Sequence, residues 1–210
     1  MTKKWLYGLE GFALSKPLRE EVFVGEQLFP AHLEADDYED KAWHYIVEEK
    51  GETVATGRLI KLDEGVYKLG RIAVKKNMRG LKLGADVTSS LIDKAKDLGA
   101  NIIKISGQTH AVPFYEKFGF AVAGPEFMEE NLPHVDMCMN LVFEGCDWLG
   151  FDDNTSAVYA KATFNAKKGQ SVKLFSSGLG FCNIKINGEK VDDALLSPAW
   201  TNYEKRDLSV

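Results

Sequence analysis

Arg71-Ile72-Ala73-Val74-Lys75-Lys76-Asn77-Met78-Arg79-Gly80-Leu81-Lys82-Leu83-Gly84-Ala85 is the stretch around which the chain is arranged. Its first residues are an apolar run of strand length, followed by a polar turn carrying Gly80. Beyond the turn, Val87, Leu91, Ile92, Ala95 and Leu98 recur at helical spacing until Gly99, which predicts a helix ending there. Ile102, Ile103 and Ile105 predict a second buried strand. Phe114 to Phe120 reads as a short helix closed by Gly119. A strand that enters a helix through a glycine-containing turn gathers unpaired N–H groups at the positive end of the helix dipole, which suits a pyrophosphate.

Outward from this centre, Trp5 to Leu14 reads as an opening strand and turn. Lys16 to Leu28 reads as a helix, with Pro17 in its first turn and Leu18, Val22, Phe23 and Leu28 on its apolar face. Residues 31–42, with Glu34, Asp36, Asp37, Glu39 and Asp40, read as an exposed loop, either merely solvated or a lip that draws in a cationic amine. Trp43–Glu48 and Val54–Ile60 form an expected hairpin about Lys50-Gly51-Glu52, and Val66–Val74 a strand bent near Gly70. Phe120–Ala123 and Val135–Leu141 are two further strands, flanking a loop with Glu126, Glu129, Glu130, Pro133 and His134. Residues 1–142 therefore read as an α/β (α+β) domain with a mixed sheet and one crossover helix.

The composition changes after Leu141. Residues 143–156 have the Gly, Asp, Asn and Ser content of a linker. Val158–Phe164, Ser171–Phe175 and Phe181–Ile186 alternate apolar and polar, with Asn187-Gly188 as a hairpin signal. Residues 157–210 thus read as a small β-rich domain, too short to be comfortable alone.

Bulk properties narrow the function classes. The formal net charge is −5 and the isoelectric point about 5.5, which argues against nucleic-acid binding. No apolar run reaches membrane-span length, and Met1-Thr2-Lys3-Lys4-Trp5 lacks the core of a signal peptide. Cys138, Cys146 and Cys182 show no ligand spacing, and the four histidines show no pairing, so no metal is expected and the thiols read as reduced, in a cytoplasmic protein.

Taken jointly, Arg71–Val74, the turn Met78–Gly84 and Ala111-Val112-Pro113-Phe114-Tyr115-Glu116-Lys117-Phe118-Gly119-Phe120 resemble the acetyl-CoA-binding core of the GCN5-related N-acetyltransferase (GNAT) superfamily. Val22–Gln27, Gly107-Gln108-Thr109-His110 and Leu132-Pro133-His134 add a likeness to its ElaA-type branch. The resemblance implies transfer of an acetyl group from acetyl-CoA to a primary amine, on a small molecule or a peptide, by direct attack in a ternary complex. It implies that Arg79, Gly80, Leu81, Lys82, Leu83, Gly84 and Ala85 grip the CoA pyrophosphate. Ile72, Ala73 and Val74 would pair with the pantetheine arm and polarise the thioester carbonyl. Tyr115 matches the family's acid for the leaving thiolate, which is suited to that task as a weak acid. Glu26, His110 and His134 are candidate bases, with His44 behind them, although water can serve instead. One departure stands out: the superfamily pattern places glycine where this chain has Lys82, which a right-handed backbone at that position would accommodate.

A second resemblance begins near Ser176. Ile186-Asn187-Gly188 and Pro198-Ala199-Trp200-Thr201-Asn202-Tyr203 are similar to the β-sandwich near the front of bacterial α-L-rhamnosidases, though only part of that domain is spanned. Open edges would let it pair with the preceding domain or with a second copy, as a homodimer. The alternative reading is a non-catalytic CoA-binding or carbohydrate-binding protein in which this segment does the recognising.

Overall fold

In the computed structural model, residues 1–130 and 132–141 are described, with four two-residue strands farther along. The chain divides into two units, Met1–Leu141 and Val142–Val210. The first holds a seven-stranded sheet, β1 Thr2–Tyr7, β2 Trp43–Glu49, β3 Glu52–Asp63, β4 Val66–Val74, β5 Ile102–Gln108, β6 Ala121–Glu129 and β7 Leu132–Asn140, in the order β1-β2-β3-β4-β5-β7-β6. All neighbours are antiparallel except β4 and β5, which are parallel and joined by the crossover helix α2, Leu83–Asp97.

The α2 spacing acts as the sequence predicts. Leu83, Val87, Leu91 and Ala95 form one stripe and pack on Leu59, Leu69 and Ile103 of the sheet. Helix and sheet approach closely at Gly57, where a Cβ would lie 2.6 Å from Val87 Cγ1 and 2.7 Å from Leu91 Cδ1. The β2–β3 hairpin closes through Lys50 and Gly51, at φ 52° and 80°, the left-handed pair that a two-residue turn requires.

Three expectations are corrected. Trp5–Leu14 is not a strand and turn: the strand ends at Tyr7 and helix α1 spans Leu9–Arg19, so Pro17 lies inside it rather than in its first turn. After α1 the backbone widens into a π-helical segment, Glu20–Glu26, with the Gln27 amide donating to the Val22 carbonyl. Leu18 and Val22 are buried with Ala73, but Leu28 is 83% exposed. Finally, Glu126, Glu129, Pro133 and His134 stand on β6 and β7, whose connection is only two residues long. An edge strand exposed on both faces has no alternation, and β6 therefore resembles a polar loop in sequence.

In the second unit, Lys173–Leu174 pairs with Leu208–Ser209, and Lys185–Ile186 with Glu189–Lys190, while Asn187-Gly188 lies outside the described residues. Residues 143–156, Val158–Phe164, Cys146, Cys182 and the Pro198–Tyr203 motif lie outside the described residues. Among the described residues no helix is long and apolar enough to cross a membrane.

Candidate active site

The parallel strands β4 and β5 are in register only from Val66 to Lys68 against Ile102 to Lys104. Past that point they separate, and β4 bulges: Arg58 of β3 faces Gly70 while Thr56 faces Ala73, with Arg71 at φ 52°. Separation and bulge together open a cleft of about 540 Å³. Ile72, Tyr115, His110 and His134 line it, as do Arg58, Lys68 and Arg71.

A second hollow, about 450 Å³, lies at the start of α2, lined by Val74, Arg79, Gly80, Lys82, Leu83, Gly84, Ala85 and Phe114. Gly80 has φ 85° and Lys82 φ 61°. The expectation of a right-handed backbone at Lys82 is therefore wrong. Lys82 is the N-cap of α2 in the left-handed region, which explains why a glycine would be the easier residue there. The predicted turn residues gather here except Leu81, which is exposed. Ala73 is buried against Leu18 and Val22.

Tyr115 sits on helix α3, Val112–Glu116, edge-on to Phe114 and Phe120. Its ring lies against the β5 backbone, where a Cβ on Gly107 would come within 3.0 Å of Cε2. Burial pushes the phenol up to about 12, so it stays protonated at neutral pH. Full proton transfer to a thiolate of pKa near 8.5 is then uphill by on the order of 4–5 kcal/mol. The group is better suited to donating a hydrogen bond to sulfur than to complete protonation.

The candidate bases differ. His134 is buried, stacked on Phe127 at 6.0 Å. Its Nδ1 lies 2.9 Å from the Leu132 carbonyl, and a carbonyl only accepts, which puts a proton on Nδ1, so that in the neutral ring Nε2 carries the lone pair. Glu129 stands 3.7 Å from that Nε2. His110 is exposed at the cleft mouth. Glu26 is not brought into the cleft: both its carboxylate oxygens accept from Arg79 Nη2, at 2.9 and 2.8 Å. His44 is fully buried and out of the cleft, and burial lowers its pKa to about 4. Cys138 is half-buried, with its thiol pushed up by burial.

Residues 31–42 are not a simple exposed loop. Glu34 and Glu39 are buried, and with Asp36 they meet three arginines. Arg19 binds Glu34 through Nε and donates to Glu39 at 2.7 and 3.1 Å. Arg58 grips Asp36 through two 2.7 Å bonds and Glu39 through one of 2.6 Å. Arg71 donates to the Leu33 and Glu34 carbonyls and lies 3.6 Å from Asp36. Arg58 holds the Asp36 carboxyl below its usual range against the opposing effect of burial, which is the larger single influence. Arg19, Arg58 and Arg71 thus offset three of the five acids of residues 31–42, Glu34, Asp36 and Glu39.

Sequence reading missed this network and the Gln108–Gln27 hydrogen bond that bridges cleft and π-segment. The available signal was an arginine inside each of two apolar strand runs, at positions 58 and 71.

Residues 7–141 match the family model described as the acetyltransferase (GNAT) domain. The chain belongs to the GNAT acetyltransferase family. The uncharacterized N-acetyltransferase YjcF of Bacillus subtilis is 39% identical over 121 residues, spanning 57% of this chain and 86% of that protein. ElaA of Escherichia coli is 30% identical over 136 residues, spanning 60% and 84%. The structure of an acyl-CoA N-acyltransferase from Pseudomonas aeruginosa superposes with a TM-score of 0.59 at 26% identity, covering 66% of this chain and 99% of that one. Separately, residues 167–209 give a short match to the α-L-rhamnosidase N-terminal domain.

Proposed function

We propose that this GNAT enzyme transfers the acetyl group of acetyl-CoA to a primary amine by direct attack within a ternary complex. The observation that carries the reading is the adjacency of an anion-suited helix start to a cleft containing Tyr115 and His134, both served by β4. The α2 turn fits a diphosphate in its chemistry: first-turn amides of α2 lack intrahelical partners, and Arg79 and Lys82 line the same hollow. The one carboxylate of that first turn, Asp86, is already neutralised by Lys3.

When bound, acetyl-CoA supplies an activated thioester; an N–C bond forms, the C–S bond breaks, and the thiolate leaves. The chain's residues then have distinct tasks. Beyond Lys68, β4 has no register partner on the β5 side among the described residues, which leaves backbone donors near Ile72–Val74 for a carbonyl oxygen. Tyr115 donates its O–H toward the departing sulfur. His134 Nε2 takes the amine proton, and Glu129 steadies the resulting imidazolium. His110 guides the acceptor at the mouth. Residues 157–210 we read as a small β-rich appendage outside this chemistry.

The test is acetyl-CoA turnover against a panel of primary amines, with products identified by mass. An acetylated amine whose formation falls at least tenfold in His134→Ala supports the assignment. Unchanged rates in that variant would remove His134 as base.

A further inference from the structure

We infer that Glu26 is an internal counter-anion: it holds Arg79 in the CoA-free protein and yields that arginine to the diphosphate of CoA. The inference rests on the reading of the α2 turn as the diphosphate site. Arg79 is fixed at one edge, where Nε donates to the Val74 carbonyl at 3.1 Å. Its Nη2 is given over to the Glu26 carboxylate, while Arg79 itself lines the hollow at the start of α2. A carboxylate is the protein's nearest chemical stand-in for such an oxygen pair.

The pair is built to exchange. The Arg79 side chain is 45% exposed and that of Glu26 27%, and ion pairs this open to water are weak. A diphosphate brings more charge, and it engages the α2 amides and Lys82 at the same time. Once it is in place, its charge repels Glu26.

Displacing Glu26 has a route to the acceptor cleft. Glu26 ends the π-helical segment, a rare register that often marks functional positions. Val22 of that segment packs with Leu18 and Ala73 of β4, with Phe23 against them. The next residue, Gln27, accepts a hydrogen bond from Gln108 at 3.1 Å. Gln27, Phe23 and Phe29 all line the cleft. The segment that gives up Arg79 is thus the segment that walls the acceptor, so CoA binding and acceptor binding are coupled. Glu26 is a positioning residue rather than a base.

Calorimetric titration with CoA of the wild type, Glu26→Gln and Arg79→Ala tests this, with hydrogen exchange over residues 20–29 as the second readout. Removing a competing pair of this exposure tightens CoA about two- to five-fold in Glu26→Gln. Arg79→Ala weakens CoA, and CoA alters exchange across residues 20–29 in the wild type but much less in Glu26→Gln. Unchanged or weakened CoA binding in Glu26→Gln would overturn the inference, as would unaltered exchange in the wild type. If Arg79→Ala leaves CoA affinity intact, the diphosphate reading itself fails and this inference goes with it.

Discussion

Replacing Arg19 by Met tests whether the buried charge network builds the wall of the cleft. The Arg19 side chain is 1% exposed, and its carboxylate partners Glu34 and Glu39 are 3% and 5% exposed. Met fills much of the volume but supplies none of the four hydrogen bonds that Arg19 makes to Glu34 and Glu39. Arg58 can still neutralise Glu39, whereas the Glu34 carboxylate loses the Arg19 Nε that binds it. Removing one partner of a buried pair costs about 3–5 kcal/mol. At 2–4 °C per kcal/mol for a chain of this size, the melting transition should fall by roughly 10 °C. Because Glu34, Asp36 and Tyr38 line the cleft, KM for the amine should rise while the dissociation constant for CoA changes little. Thermal melting by circular dichroism and steady-state kinetics read the two effects. A loss below about 1 kcal/mol would refute the network as a buried structural unit. An equal loss of CoA affinity would refute its confinement to the acceptor side.

Other outcomes follow from single contacts. Gly57→Ala drives a methyl into Val87 and Leu91 and should cost about 1–3 kcal/mol by denaturant titration. Tyr115→Phe should lower kcat by about 10²-fold with acetyl-CoA binding retained; because burial raises this phenol to about 12, no alkaline limb below about pH 11 should vanish with it. His44 has a folded pKa lowered to about 4 from 6.5, so the unfolded chain binds its proton first. Its contribution is complete above pH 6.5 and is lost as pH falls toward 4, by at most about 3 kcal/mol. Urea titrations from pH 7 to 4 should therefore show a shallower decline in His44→Leu than in the wild type.

The fold was legible where one element buries a full face. The α2 stripe of Val87, Leu91 and Ala95 and the aliphatic runs of β4 and β5 announce themselves because packing demands their periods. Helix α1 was missed at its start, because Leu9 and Leu14 are exposed and Leu18 is the one large apolar side chain of the helix that is buried. Strand β6 was half read, its residues from Glu126 onward lying at a sheet edge. The turn at the start of α2 and the cleft-lining Tyr115 could be placed because each belongs to a stretch that is local in sequence. The arginine network could not: its members at 19, 58 and 71 meet acids at 34, 36 and 39 only through folding. The left-handed backbone at Lys82 is signalled by the glycine of the superfamily pattern at that position and not by the lysine itself.

The central claim is that acetyl-CoA occupies the α2 turn and places its thioester beside Tyr115. Calorimetric titration of acetyl-CoA into the wild type and Arg79→Glu tests it most directly. Micromolar binding that weakens at least tenfold on charge reversal is the predicted result. Equal binding by the two proteins, or none by the wild type, would contradict the account.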